Sequence, residues 1–276
     1  MNAMKIGCHV SIAGGVFNAP ERAQALGCEV MQIFSRSPQG GKTPELTPEI
    51  IQQFKLQAKT YKLQATYIHS PYYINFASAN NRIRYGSVNA IKEELERASL
   101  LGAKYVMTHL GSAKDLGEEV GREKTIEMLI KTLENYKGSA KLLLENSAGA
   151  GAIIGDDLSE LAYIIKKVKS SAIAGICLDT QHSFASGYDW RDFNTTIKRI
   201  DKEIGLKNIK LIHANDSLTE CDSKRDRHAH IGKGLIGKKA FENIVKFAKE
   251  NEIDMILETE HDAVMEDIKL LKKMRK

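Results

Sequence analysis

Nothing in the 276 residues approaches the length of an apolar membrane span. A leader is missing from the pattern too: the opening MNAMKIGCHVS passes straight into a strand-like run, without a basic segment, an apolar signal core or a cleavage site. The expectation is an intracellular protein, cytoplasmic or nucleoid-associated, with no membrane partner. Cys8, Cys28, Cys177 and Cys221 lie far apart and never fall in a C-x-x-C spacing, so neither a disulfide framework nor a thiolate zinc site is signalled. No Pro/Ser-rich linker or low-complexity tract divides the chain, and residues 1–276 therefore read as one domain. Charge of one sign is also scarce. The balance of 40 Lys plus Arg against 35 Asp plus Glu leaves only +5, which by itself barely favours nucleic acid over other partners. The basic end KLLKKMRK reads as a helix terminus whose cations complement the helix dipole.

What is present is a soluble globular composition, 42% hydrophobic and 27% charged. Eight short apolar or β-branched runs stand out: residues 5–10, 30–35, 65–70, 105–111, 141–146, 175–179, 210–215 and 255–259. Helix-like segments alternate with them. Thr47–Lys62 begins with Thr47 as a cap and Pro48 at the first helical position, and Asn89–Leu101 stops at Gly102. Residues 121–136, 157–169, 189–204, 238–250 and 263–276 read similarly. Strict strand–helix alternation requires parallel pairing through right-handed crossovers, and eight units close a barrel. The expected fold is a single α/β eightfold (TIM) barrel with its active site at the C-terminal ends of the strands.

All eight histidines, at 9, 69, 109, 182, 213, 228, 230 and 261, fall at predicted strand ends or in the loops after them, and none is expected within a helix. A lone histidine is usually an ordinary core or surface residue; eight on one barrel face form a constellation. Alternation sharpens it. Glu145 shares parity with Leu143, Asp179 with Cys177, His213 with Leu211 and Glu258 with Ile256, so each acid or imidazole ends an inward row. Several adjacent inward carboxylates would repel one another and resist ionisation unless cations lay between them. Five histidines and four carboxylates without a thiolate suit Zn²⁺, with Mn²⁺ or Fe²⁺ as competitors, and their number points to two or three ions sharing a bridging carboxylate.

The stretch DSKRDRHAHIGKG, residues 222–234, combines metal ligands with cations on what reads as an exposed loop. A solvated loop is the plain reading of such a composition. Beside the strand ends it gains a role: Asp226 and His228, with His182, could complete a site the strands cannot.

In order along the chain, GCHVSIAGG, YIHSPYYIN, THLGS, LLENSAG, LDTQHSFASGYD, HANDS, DRHAHIGKG and ETE closely resemble the endonuclease IV family of apurinic/apyrimidinic endonucleases, over residues 6–260. The resemblance implies a barrel with three zinc ions that cuts double-stranded DNA 5′ to abasic sites, leaving a 3′-hydroxyl and a 5′-deoxyribose phosphate. It implies that His69, His109 and Glu145 hold one ion, that Glu145, Asp179, His213 and Glu258 hold a second, and that His182, Asp226 and His228 hold the third. Glu145, Asp179 and Glu258 would then carry the catalysis, with Glu145 as the bridge. Tyr72 and Tyr73 match the position where the family inserts side chains into the base stack. Arg36, Arg225 and Arg227, with Lys42, Lys114, Lys224 and Lys233, are candidate phosphate contacts. His230 is assigned to support of the ligands or to a phosphate, and a monomer is expected. One departure stands out: Gln39, Gly40 and Gly41 occupy positions where the family usually offers an arginine and a tryptophan.

Two other readings compete. A sugar isomerase or epimerase of the xylose isomerase-like group uses a similar barrel and a Glu/Asp/His/Glu core, but it leaves His69, His109, His182, Asp226, His228 and the cationic rim unexplained. A DNA-damage binding module without catalysis is disfavoured by the complete ligand set.

Overall fold

The computed structural model describes residues 4–276; Met1–Ala3, where the leader reading starts, lie outside the described residues. Eight parallel strands close into a barrel: β1 (Ile6–His9), β2 (Val30–Phe34), β3 (Thr66–His69), β4 (Tyr105–Thr108), β5 (Lys141–Glu145), β6 (Ile173–Asp179), β7 (Ile209–His213) and β10 (Asp254–Leu257). β1 pairs with both β2 and β10, so no barrel edge is left open. Two further strands, β8 (Asp216–Ser217) and β9 (His228–Ala229), form a small antiparallel ladder between β7 and β10 in sequence. The helices are α1 (Ala19–Ala25), α2 (Pro48–Thr60), α3 (Asn81–Leu101), α4 (Glu118–Leu133), α5 (Leu158–Val168), α6 (Thr180–Ala185), α7 (Phe193–Glu203), α8 (Lys238–Glu250) and α9 (Val264–Arg275).

The period-two alternation of the strands sorts the core into two parts. Residues such as Ile33, Ile68, Val106, Leu142, Leu144 and Ile212 face outward and pack with Phe54, Leu95, Leu129, Leu161, Phe241 and Ile268 of the helices. The alternate residues Val30, Tyr67, Met107, Leu143, Cys177, Leu211 and Ile256 form a separate buried plug inside the barrel. Residue by residue, that plug lies one inward step below Gln32, His69, Glu145, Asp179, His213 and Glu258. Seven apolar or weakly polar side chains thus seal the barrel beneath the polar mouth, each contributing about 1.5–3 kcal/mol of burial where large and apolar.

Helix boundaries follow local chemistry. Thr47 caps α2 by accepting from Ile50 N, as its sequence suggests. α3 starts at Asn81 rather than at Asn89, because the Asn80 side chain caps it by accepting from Arg82 N at 2.8 Å. Gly86 lies inside that helix, where an added Cβ would meet nothing within 4 Å. A second correction concerns His182, which lies within a helix after all. The Asp179 carboxylate accepts from His182 N at 2.7 Å, so β6 turns directly into α6. The DSKRDRHAHIGKG segment is likewise more ordered than a solvated loop, since His228 and Ala229 pair with Ser217 and Asp216. Buried Asp216 accepts from the amides of Gly232, Gly234, Ile236 and Gly237 and shapes the chain beyond them. A Cβ at Gly234 would meet Ser217 O at 2.4 Å, so this turn needs glycine. Among the described residues, no helix is long and apolar enough to cross a membrane.

Candidate metal centre at the mouth of the barrel

The strand ends bring the acids and histidines together. Ligand atoms of His69, His109 and Glu145 all lie within 4.8 Å of one another; so do those of Glu145, Asp179, His213 and Glu258, and those of Asp179, His182 and His228. Glu145 belongs to two of these groups. One of its oxygens is 3.1 Å from His69 Nε2 and 3.5 Å from His109 Nε2, while the other is 2.7 Å from His213 Nδ1. Asp226 reaches the third group from the loop, 3.3 Å from His182 Nε2 and 3.3 Å from His228 Nε2. His69, His109, His182, Asp226, His228 and Glu258 line a cleft of about 410 Å³ together with His9, Phe34 and Tyr72, and Glu145, Asp179 and His213 are fully buried beside them.

Three observations fit a divalent cation. First, the imidazoles are oriented as ligands are. His69 Nδ1 donates to Ser70 O at 2.7 Å and His182 Nδ1 to Asn146 O at 3.0 Å, which leaves each Nε2 facing a carboxylate. Second, His228 Nε2 is buried without a hydrogen-bond partner, although it faces two carboxylates at 3.3 and 3.8 Å. Third, the electrostatics ask for positive charge. Burial raises the Glu145 carboxyl, but His109, His213 and His69 outweigh it and hold it well below the usual range. Burial is likewise overcome at Glu258, held at about 2 by His213, and at His182, raised to about 10 by Asp179 and Asp226. A divalent cation between these groups supplies that charge.

Residues missing from the motif reading support this core. Asn146 Oδ1 accepts from Asp179 N at 2.7 Å, and Asn215 Nδ2 donates to Asp179 Oδ2 at 2.7 Å while its Oδ1 accepts from Glu258 N. Both follow a strand end within motifs already singled out, LLENSAG and HANDS. Gln32, the lone polar residue of VMQIF, contacts His213, Glu258 and His9. Its inward parity with Val30 is the signal that could have found it. Cys177, although a thiol, lies beside Glu145 and His213, and burial pushes it up to about 12, so it stays protonated. His9 is pushed down to about 3, chiefly by burial, and is neutral.

The surrounding candidates separate. Tyr72 is 68% exposed and packs edge-on against Phe34 and His69, with centroids 5.2 and 6.2 Å away; Tyr73 is exposed beside it. Gly40 approaches the Tyr73 ring, so the departing Gln39-Gly40-Gly41 turn lies next to these tyrosines. Arg225 and Arg227 are exposed on the loop that carries Asp226. Arg36 is a correction: it is buried, ion-paired to Glu94 and Glu93 and donating to Thr43, because β2 ends against α3. A guanidinium so engaged braces the fold and does not present itself to phosphate. Lys224 is paired with Asp222 and Asp156. His230 also departs from expectation. It bonds Asp267 at 2.7 Å and Asp262 at 3.1 Å, neither of which belongs to the clustered groups.

Comparison with known proteins agrees with this architecture. A family model described as the xylose isomerase-like TIM barrel matches residues 20–274. A protein of Halothermothrix orenii described as a probable endonuclease 4 is 40% identical over 259 residues, 93% of each chain. The crystal structure of endonuclease IV from Thermus thermophilus superposes with a TM-score of 0.87 at 28% identity, over 98% of both chains. A D-tagatose 3-epimerase-like protein, 22% identical with a TM-score of 0.76 over 98% of this chain and 97% of its own, shares the fold.

Proposed function

The chain belongs to the endonuclease IV family of xylose isomerase-like TIM barrels, and on that premise we propose that it is a metal-dependent DNA-repair nuclease acting as one barrel domain. The reaction is hydrolysis of the phosphodiester 5′ to an abasic site in duplex DNA, giving a 3′-hydroxyl and a 5′-deoxyribose phosphate. The observation that carries this reading is the convergence of nine ligand-type side chains, His69, His109, Glu145, Asp179, His182, His213, Asp226, His228 and Glu258, into contiguous groups at the barrel mouth, six of them lining one cleft.

His69, His109 and Glu145 would hold one ion, Glu145, Asp179, His213 and Glu258 a second, and His182, Asp226 and His228 a third. When bound, such ions, Zn²⁺ by donor set with Mn²⁺ or Fe²⁺ as competitors, offset the charge of the phosphodiester and lower the pKa of water. The chain's own contribution is orientation. Asn215 holds the Asp179 carboxylate, Asn146 holds the Asp179 backbone amide and carbonyl, and the carbonyls of Ser70 and Asn146 fix two imidazole tautomers. The exposed Tyr72 ring stands beside His69, where it can fill the space left by a missing base. Arg225 and Arg227 hold flanking phosphates. The sugar-isomerase reading accounts for the quartet alone and leaves Asp226, His228 and the exposed tyrosines without a task.

The test is to measure the divalent-ion content of the purified protein and its cleavage of a duplex with one abasic analogue. Cleavage on the 5′ side, abolished by chelation and restored by zinc, is expected. An ion-loaded protein that leaves this duplex intact would overturn the assignment.

A further inference from the structure

We propose that Gln32 is a positioning residue of the metal centre, whose carboxamide selects which nitrogen of His213 and which oxygen of Glu258 face the ion. The inference rests on the metal-centre reading above. Gln32 is fully buried on β2, on the inward row of Val30. An amide offers two donor hydrogens and one acceptor oxygen. Here all of that capacity is used: Nε2 lies 2.6 Å from Glu258 Oε1 and 3.0 Å from His9 Nδ1, and Oε1 lies 2.8 Å from His213 Nε2.

The orientation follows from what each partner can do. An ionised carboxylate only accepts, so the amide nitrogen must face Glu258, and the amide oxygen is thereby committed to His213. That oxygen also only accepts, so His213 Nε2 carries a hydrogen. A neutral His213 then has its lone pair at Nδ1, the atom 2.7 Å from Glu145 Oε1 and 3.2 Å from Glu258 Oε2. Glu258 is sorted by the same group. Its Oε1 is occupied by the amide, and Oε2 remains for the space shared with His213 and Glu145. A single side chain on β2 therefore sets the donor atoms of two residues that lie 181 and 226 positions away in sequence. A methylene chain of the same length would leave Glu258 Oε1 and His213 Nε2 without partners in a buried site. A carboxylate there would place like charge against Glu258.

The experiment compares the wild-type protein with Gln32→Met and Gln32→Glu, using zinc as the probe, chelator competition for affinity, and ¹⁵N spectra of the histidine rings. In the zinc-loaded wild-type protein, His213 is expected to carry its hydrogen on Nε2. Gln32→Met should bind one ion about tenfold to a hundredfold more weakly, the range for partners that orient metal ligands, with altered His213 ring signals. Gln32→Glu should lose more than Gln32→Met. Circular dichroism checks folding, and should Gln32→Met fail to fold, Gln32→Glu, which keeps length and polarity, carries the comparison. Wild-type zinc affinity and unchanged His213 signals in a folded variant would overturn the inference, as would a hydrogen on His213 Nδ1 in the zinc-loaded wild-type protein. Wild-type protein that takes up no zinc overturns the metal-centre reading itself.

Discussion

The ligand-type side chains come from two kinds of support. Glu145, Asp179 and His213 are fully buried at the ends of β5, β6 and β7, each held between two neighbouring strands. Asp226 is 59% exposed and His228 21% exposed, on a segment tied down by a two-residue ladder, by Leu218 N donating to Arg227 O, and by Gln181 Nε2 donating to Arg225 O. Strand ends fix a carboxylate through the whole barrel, whereas a loop fixes one through a few local bonds. The first arrangement gives a rigidly held core of ligand-type groups; the second holds Asp226 3.3 Å from His182 and His228 through fewer bonds. The same loop carries Arg225 and Arg227, so under the proposed function a phosphate held there would bear on the placement of Asp226.

The largest effect is expected where the rigid part is cut at its centre. Glu145→Gln keeps the shape but removes the charge shared by two groups, so cleavage should fall by about a thousandfold or more and ion content should drop, with the barrel still folded. Metal analysis, circular dichroism and a cleavage assay check this. Full activity in the variant would mean that the two groups do not act as one centre.

A smaller and more selective effect is expected in the loop. Asp226→Asn or His228→Ala should lose one ion and about a hundredfold to a thousandfold in turnover while the remaining ions stay bound. Stepwise chelation of the unaltered protein should remove ions in the same order, first the one held by the loop. Loss of ions from the buried quartet before the loop would reverse the comparison.

Arg225→Glu or Arg227→Glu should weaken DNA binding more at low salt than at high salt and reduce the slope of log affinity against log salt by about one or more. Arg36→Met is the contrast. It should leave that slope unchanged yet cost on the order of 3–5 kcal/mol of stability, because Glu94 would be left buried without its ion-pair partner. A changed slope in Arg36→Met with normal stability would return that residue to the DNA surface.

Arg36 also shows where the sequence stops being informative. An arginine after a strand reads alike whether it meets water or Glu94, and Glu94 is 58 residues away on a helix whose first two turns the local pattern conceals. The barrel was legible because alternation and helix periodicity are local, and the clustering of acids and histidines because strand ends converge whatever the loops do. The helical setting of His182 was not legible, since it depends on Asp179 serving at once as strand end and helix cap. Gln32 was overlooked because an isolated glutamine acquires meaning only from partners on β7 and after β10.

The smallest effect is expected at His230, only two residues from His228 and yet outside the cluster. Its ring bonds Asp267 and Asp262, and Asp267 also accepts from Thr259 Oγ1 and Ile231 N, so the assembly joins the loop to α9 and to the residue after Glu258. The hydrogen bond to Asp267 raises the His230 pKa above 6.5, its ordinary value. A raised folded pKa contributes stability in full below the unfolded value and loses it as pH climbs through the folded one. His230→Ala should therefore keep every ion and change activity by less than about tenfold, while lowering stability by about 1 kcal/mol at about pH 5.5 and by less at about pH 9. Denaturant midpoints at the two pH values, with metal analysis of the same samples, decide it. Loss of an ion from His230→Ala, or a stability deficit that grows toward the alkaline end, would place His230 among the ligands instead of behind them.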